Sequence, residues 1–291
     1  MFANFYNFSN KFSKLKKKVW LLKEIYINKI KYNFTKLYLF FLDKIHNKKF
    51  NFTKLKKKQT DFTVIFGSDS SLNDLSPKEK KLISSSNVIF MNKNLIFWKL
   101  INIWPDYYFL SDTNVKSDKA FKIFIDSIKV IKNEKFNSPR LLLENLYKNY
   151  FYDNENFYFK TAYQSNNIIW AQNKNEKMFG FHGSLSTLLN VITVLNLGKK
   201  ILLVGFNMNN KNYFFDKEDN FLSYTDKSFH TEESLHPNLA LDNNFNIFTY
   251  WSVITDELKK KNIEIYNCNK DSILTKKKYV EYINIEDFFK L

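Results

Sequence analysis

Two patterns of apolar and polar positions divide the chain. Near the N-terminus, apolar side chains recur at Leu22, Tyr26, Ile30, Phe34, Leu37, Phe41 and Ile45. That three-to-four spacing makes one stripe on a helix, and lysines fill much of the rest. From residue 61 the character changes to short apolar runs separated by helical stretches. The runs at 62–67 (FTVIFG), 87–92 (NVIFMN), 106–112 (DYYFLSD), 200–206 (KILLVGF) and 263–269 (IEIYNCN) are rich in β-branched and aromatic residues and have the length of strands. Between them, SPKEKKLISS predicts a helix with Ser76 as N-cap, Pro77 at the first helical position and Glu79 at the third. The stretch SLSTLLNVITVLNLG carries apolar residues at helical spacing and is expected to stop at Gly198, a good C-cap. A third helix, within NIFTYWSVITDELKKKN, ends in lysines that suit the negative end of a helix dipole. Near-continuously apolar strands alternating with helices predict an α/β fold, a mostly parallel sheet covered by helices on both faces. No internal repeat is evident. The expected division is a basic helical extension over 1–60 and an α/β domain over 61–291.

Charge sharpens this division. Residues 1–60 hold sixteen lysines against Glu24 and Asp43, so they carry +14 of the chain's net +16. The basic character therefore belongs to the extension. Arg140 is the only arginine, whereas sites that grip phosphates or read guanine favour arginine's planar fork, so no nucleic-acid partner is expected. Residues 11–58, with Trp20 and several Phe and Tyr, have the make-up of a helix that lies on an anionic membrane surface. The same stripe equally suits an arm packed on its own domain or on a second subunit. Lysines at 54–58 read as a linker. One cysteine, Cys268, excludes a disulfide framework within the chain and a thiolate zinc cluster, and makes a reducing cytosol the simpler compartment. No run of eighteen apolar residues and no signal-peptide pattern is present, so neither export by that route nor a membrane span is expected. Cys268 ends a strand, with no histidine near it in sequence, and reads as packed rather than nucleophilic.

In a sheet of this kind ligands bind beyond the C-terminal ends of the strands. There the chain has Gly67, Ser68, Asp69, Ser70 and Ser71 after the first strand, Asn92 after the second, and Ser111, Asp112 and Thr113 after the third; Asn207 and Asn209 follow the fourth. Nearly all are small, polar and able to hydrogen-bond a nucleotide or a sugar. GSDSSL lacks both the GxGxxG spacing and the lysine of a Walker loop. No Asp-x-Asp is present, so no metal site is expected.

The ordered set VIFGSDSSLNDL, VIFMNK, PDYYFLSD, HGSLSTLLNVITVLNLGKKILLVGFNMN and HPN resembles the bacterial sialyltransferases of the Campylobacter type. It also resembles the related sugar-transferase and pterin-pyrophosphokinase-like group, whose first strand ends in a Gly-x-Gly-Pro-Ser-Leu turn. The resemblance covers residues 62–275 and implies a Rossmann-like domain. It places Gly67, Ser71 and Leu72 at the nucleotide-cradling turn, with Asp69 where the family has its second glycine and Ser70 where it has proline. Asn92 matches an asparagine that contacts the donor nucleotide. Gly183 and Ser184 match the small residues that open a helix, whose N-terminal amides suit an anionic donor. The family stabilises the leaving phosphate of a CMP-sugar with a tyrosine pair; Asn209 stands at the first of these positions, and Tyr213 or Tyr224 approximates the second. His236 matches a histidine that acts as general base on the acceptor hydroxyl, a task suited to a group that titrates near neutral pH. His230 and His182 are competing positions.

The expectation is an inverting glycosyltransferase that passes a sugar to a hydroxyl of a cell-surface glycan or lipid-linked acceptor, a nonulosonic acid from a CMP-activated donor being the sugar the resemblance favours. Ser68, Ser111, Asp112 and Asn207 join Gly67, Ser71, Asn92, Gly183 and Ser184 in holding the nucleotide. The donor is a substrate, and no cofactor is required. The expected location is the cytoplasm, peripheral on the cytoplasmic face of the inner membrane, and family analogy allows a homo-oligomer. Two alternatives stay open: diphosphate transfer to a pterin-like alcohol on the same fold, and a non-catalytic membrane- or nucleic-acid-binding protein.

Overall fold

The computed structural model describes residues 58–111, 118–148, 155–163, 170–180, 183–208, 212–220, 224, 248 and 250–291. The expected helical arm lies outside these residues. Within them the strands are β1 (Phe62–Phe66), β2 (Asn87–Met91), β3 (Tyr107–Leu110), β4 (Arg140–Glu144), β5 (Phe157–Phe159), β6 (Thr161–Tyr163), β7 (Met178–Gly180), β8 (Lys200–Val204), β9 (Glu264–Asn267) and β10 (Glu281–Tyr282). Eight of them form one sheet in the order β10-β9-β8-β1-β2-β3-β4-β5. Every neighbouring pair in it is parallel. β6 and β7 make a separate parallel pair. The helices are α1 (Pro77–Ser84), α2 (Trp98–Ile101), α3 (Asp118–Asn133), α4 (Ser184–Leu195), α5 (Trp251–Lys260), α6 (Ile273–Lys276) and α7 (Ile285–Phe288). This is a Rossmann-like α/β arrangement, and among the described residues no helix is long and apolar enough to cross a membrane.

The two faces of the sheet follow from the alternation of side chains along each strand. On one face Ile65, Ile89, Phe109, Leu142, Ile201 and Leu203 pack against Leu188, Leu189 and Ile192 of α4 and Trp251, Ile254 and Leu258 of α5. On the other, Val64, Phe66, Val88, Phe90, Leu141, Leu143, Leu202 and Val204 meet Ile83 of α1, Phe124 and Ile128 of α3, and Phe288 of α7. Strands covered on both sides have no polar face to show, which is why they read as continuous apolar runs. Fully burying a residue such as Leu188 or Ile192 contributes about 1.5–3 kcal/mol, so the sandwich holds its strand ends in register.

Local chemistry explains the boundaries. Ser76 and Glu79 form the reciprocal capping box, with Pro77 in the first turn of α1. α4 is buried almost all round, and its one strongly polar interior residue has work to do. Asn190 Oδ1 accepts from the amides of Ala171 (3.1 Å) and Phe179 (2.7 Å), while its Nδ2 donates to the Ala171 carbonyl (2.9 Å). These bonds fix the helix, and hence its N-terminus, against β7. The expected C-cap at Gly198 is corrected: α4 ends at Leu195, and Asn196 takes the left-handed conformation at φ 49°. Gly198 serves close packing instead, since a Cβ there would sit 2.4 Å from Thr63 Oγ1 and 2.9 Å from the Asp61 carbonyl oxygen.

Candidate functional site

The chain fills the sheet outward from β1 to β5 and then returns to the other side of β1 with β8. The switch point is therefore the gap beyond the C-terminal ends of β1 and β8, where open α/β sheets take their ligands. A cavity of about 240 Å³ lies there, lined by Gly67, Ser68, Asp69 and Gly205 together with Asn92, Lys93, Ser184 and Tyr213.

Its floor is the close approach of two strand ends. The Gly67 amide donates to the Val204 carbonyl (2.8 Å) and the Asp69 amide to the Gly205 carbonyl (3.1 Å). Gly205 has φ 73°, which only glycine adopts without strain. Asn94, 1% exposed, donates from its Nδ2 to the carbonyls of Phe66 (2.8 Å) and Gly67 (2.6 Å), locking the turn after β1 to the end of β2. Across the turn, the Ser70 amide donates to the Asn212 carbonyl (3.0 Å) and the Phe214 amide to the Ser68 carbonyl (3.1 Å). The segment that carries Tyr213 is thus sewn to the turn.

A second set of contacts joins three of the expected residues. Asn92, at φ 48°, donates from Nδ2 to Ser184 Oγ (3.0 Å), and its Oδ1 accepts from the Ser111 amide (3.4 Å). Ser184 Oγ in turn donates to the Ser111 carbonyl (2.6 Å). The ends of β2 and β3 and the start of α4 are tied into one knot. Gly183 caps α4 at φ 137° with no side-chain cap, and the N-terminus of this twelve-residue helix, whose dipole favours an anion, lies at the cavity wall. Lys93 adds positive charge: its Nζ stands 3.9 Å from the centroid of the Tyr213 ring. Tyr213 stacks in turn on Phe215, at 5.1 Å between centroids.

Gly67, Ser68, Asn92, Gly183, Ser184 and Tyr213 therefore share one cavity, and Ser111 stands directly behind them as a buried partner. Three expected residues fall elsewhere. Ser71 belongs to the 3₁₀ turn Ser70–Asp74, where its amide donates to Asp69 Oδ1 (3.0 Å). Asn207 follows β8 outside the lining, and its carbonyl accepts from the Ile273 amide (3.2 Å). Tyr224 is set apart: its hydroxyl donates to Asp126 Oδ2 (2.9 Å) and accepts from Lys122 Nζ (2.9 Å), and its ring meets Phe97 edge-on. That cluster belongs to α3. Burial raises the Asp126 pKa, but hydrogen bonds from Lys122, Lys129 and Tyr224 outweigh it and bring the carboxyl down to about 2. His236, its rivals His182 and His230, and Asp112 and Asn209 lie outside the described residues.

Cys268 packs against the second core cluster. Burial pushes its thiol up to about 12 against a weaker opposing hydrogen bond at Gly205, so it is not a thiolate at neutral pH. Sequence reasoning passed over Lys93 and Asn94, although both directly follow Asn92 at the end of β2. Position beyond a strand end was the signal that would have found them.

Fold and site together define a Rossmann-like α/β protein with a ligand crevice at its switch point. No family model and no curated protein matches the chain. Among solved structures, the chain is similar to a tyrosine-to-phenylalanine variant of the sialyltransferase CST-II in complex with CMP. The two are 13% identical, with a TM-score of 0.34 over 77% of this chain and 86% of that one. The fold assignment rests on the strand order rather than on this likeness.

Proposed function

We propose that the crevice binds the nucleotide of an activated sugar and that the protein is an inverting glycosyltransferase. The observation that carries the reading is the convergence, at one switch point, of the Gly67 turn, Asn92, the uncapped start of α4 at Gly183–Ser184, and Tyr213 under the Lys93 ammonium. A helix N-terminus and a lysine lining one small polar cavity suit a phosphate. The order of motifs along the chain favours a CMP-linked donor, with a nonulosonic acid as the sugar.

In this reading the acceptor hydroxyl gives its proton to His236, and its oxygen attacks the anomeric carbon from the face opposite the nucleotide. The bond from that carbon to the phosphate oxygen breaks, and its electron pair leaves with CMP. Charge then develops on the leaving phosphate, where the first-turn amides of α4, the Lys93 ammonium and the Tyr213 hydroxyl would stabilise it more than in the ground state. The acceptor is a glycan or glycolipid hydroxyl, and residues 11–58 would keep the enzyme at the surface that carries it, on the cytoplasmic side.

The test is a transfer assay with the full chain, a CMP-activated nonulosonic acid and a soluble glycan acceptor, reading released CMP and the configuration of the product. The expected result is acceptor-dependent CMP release with inversion. His236→Ala should lower it roughly 10²–10⁴-fold, the usual loss for a general base, with CMP affinity unchanged. Retention of configuration, or no CMP release from any CMP-sugar, would reject the proposal.

A further inference from the structure

Asp69 stands where a phosphate cradle would want glycine, yet its position is tightly determined. Its amide donates to the Gly205 carbonyl (3.1 Å), its carbonyl accepts from the Leu72 amide (3.2 Å), and it bridges to Tyr213 across the turn. Its side chain caps the 3₁₀ turn: Oδ1 accepts from the Ser71 amide (3.0 Å). The residue is 7% exposed and lines the cavity. Its second oxygen, Oδ2, is buried with no hydrogen-bond partner among the described residues. A buried carboxylate oxygen left unmatched is costly, and native structures rarely keep one without a reason.

An ionised carboxylate can only accept hydrogen bonds. Whatever meets Oδ2 must therefore bring a donor, and a phosphate oxygen would be repelled. The same lining carries features that favour an anion, the α4 N-terminus at Ser184 and the ammonium of Lys93 over the Tyr213 ring. The cavity thus offers donors for an anion and, at Asp69, an acceptor for a hydroxyl or amine. At the switch point of a Rossmann-like sheet, the recurrent partner of a carboxylate is a sugar hydroxyl of a bound nucleotide. We infer that Asp69 is a specificity-determining residue of this site, its Oδ2 accepting a hydrogen bond from a ribose hydroxyl and so selecting ribonucleotides over their deoxy forms. This rests on the nucleotide reading of the crevice.

The experiment is calorimetric titration of the full chain with CMP, 2′-deoxy-CMP and 3′-deoxy-CMP. It is repeated on Asp69→Ala and on Asp69→Asn, which keeps an oxygen for the Ser71 cap; circular dichroism checks that each variant folds. The wild type should bind one of the deoxy forms roughly 10- to 100-fold more weakly than CMP, the range for a hydrogen bond to a charged group. In Asp69→Ala that ratio should fall to near one, and in Asp69→Asn to a few-fold. If the alanine variant does not fold, the asparagine variant decides alone. Equal binding of all three ligands by the wild type would overturn the inference. So would a ratio unchanged in the variants, which would make the carboxylate a cap and nothing more. In both cases the nucleotide site itself would stand; absence of binding by any of the nucleotides to the wild type would instead remove the nucleotide reading and this inference with it.

Discussion

Replacing Gly67 by alanine tests the floor of the crevice without removing any polar group. A Cβ there would lie 2.1 Å from the Gly205 carbonyl oxygen, 2.8 Å from its carbon and 2.9 Å from Phe206 Cδ2. The phenylalanine ring can turn away, but the Gly205 backbone is held by β8. Relief to an ordinary contact of about 3.5 Å requires the ends of β1 and β8 to part by about 1 Å or more. That movement stretches the bonds Gly67 N to Val204 O (2.8 Å) and Asp69 N to Gly205 O (3.1 Å). Overpacking costs about 1–3 kcal/mol, and each weakened hydrogen bond adds up to about 0.5–1.5 kcal/mol. A destabilisation of about 2–4 kcal/mol follows. Urea unfolding of the full chain should show the midpoint falling by about 1 M or more for a slope of about 2 kcal/mol/M, and CMP affinity should fall with it. An unchanged midpoint would refute the close approach on which the crevice is built.

Three further outcomes follow from named contacts. Asn92→Ala should be less stable than Asn92→Gly by about 1 kcal/mol in urea unfolding, because both lose the bonds to Ser184 and Ser111 while only alanine is strained at φ 48°. Lys93→Gln should weaken CMP roughly tenfold and leave cytidine unaffected in calorimetry, since only the phosphate feels the charge; equal losses for the two ligands would count against it. Asp126→Asn should cost about 1–2 kcal/mol at neutral pH. The Asp126 pKa is depressed from 3.8 to about 2 in the folded state, so its contribution is present above about pH 4 and disappears as pH falls through about 2. The stability gap between wild type and variant should close over that window, and a gap that stays constant would contradict the assignment.

Much of the fold was legible because it rests on local signals. The five long apolar runs became β1, β2, β3, β8 and β9, and the capping box at Ser76 marked the start of α1. β4 to β7 were not legible. FYF, TAY and MFG are three residues long, and a run that short acquires strand character only from the neighbour it pairs with; RLLLE, as long as β1, has no β-branched or aromatic residue to mark it. Gly198 misled for a related reason: its small size serves a contact with Thr63, far away in sequence, rather than a helix end. In the site, the rule that ligands meet strand ends picked out Gly67, Ser68 and Asn92, and the resemblance added Ser184. The rule also listed Asp69 and would have reached Lys93, but their roles depend on what surrounds them: an unmatched buried oxygen in one case, the Tyr213 ring in the other. The resemblance offered Tyr224 as an alternative to Tyr213; Asp126 and Lys122 of α3 hold its hydroxyl.

The central claim is that the switch-point crevice takes a cytidine nucleotide. The most direct test is the thermal midpoint of the full chain against CMP, CDP, UDP, GDP, ADP and ATP, each with and without magnesium. A ligand at about one hundred times its Kd stabilises the native state by about 2.7 kcal/mol, a rise of roughly 5–10 °C for a domain of this size. The account predicts that rise for cytidine nucleotides without magnesium. No shift with any nucleotide, or a shift only with ATP and magnesium, would contradict it.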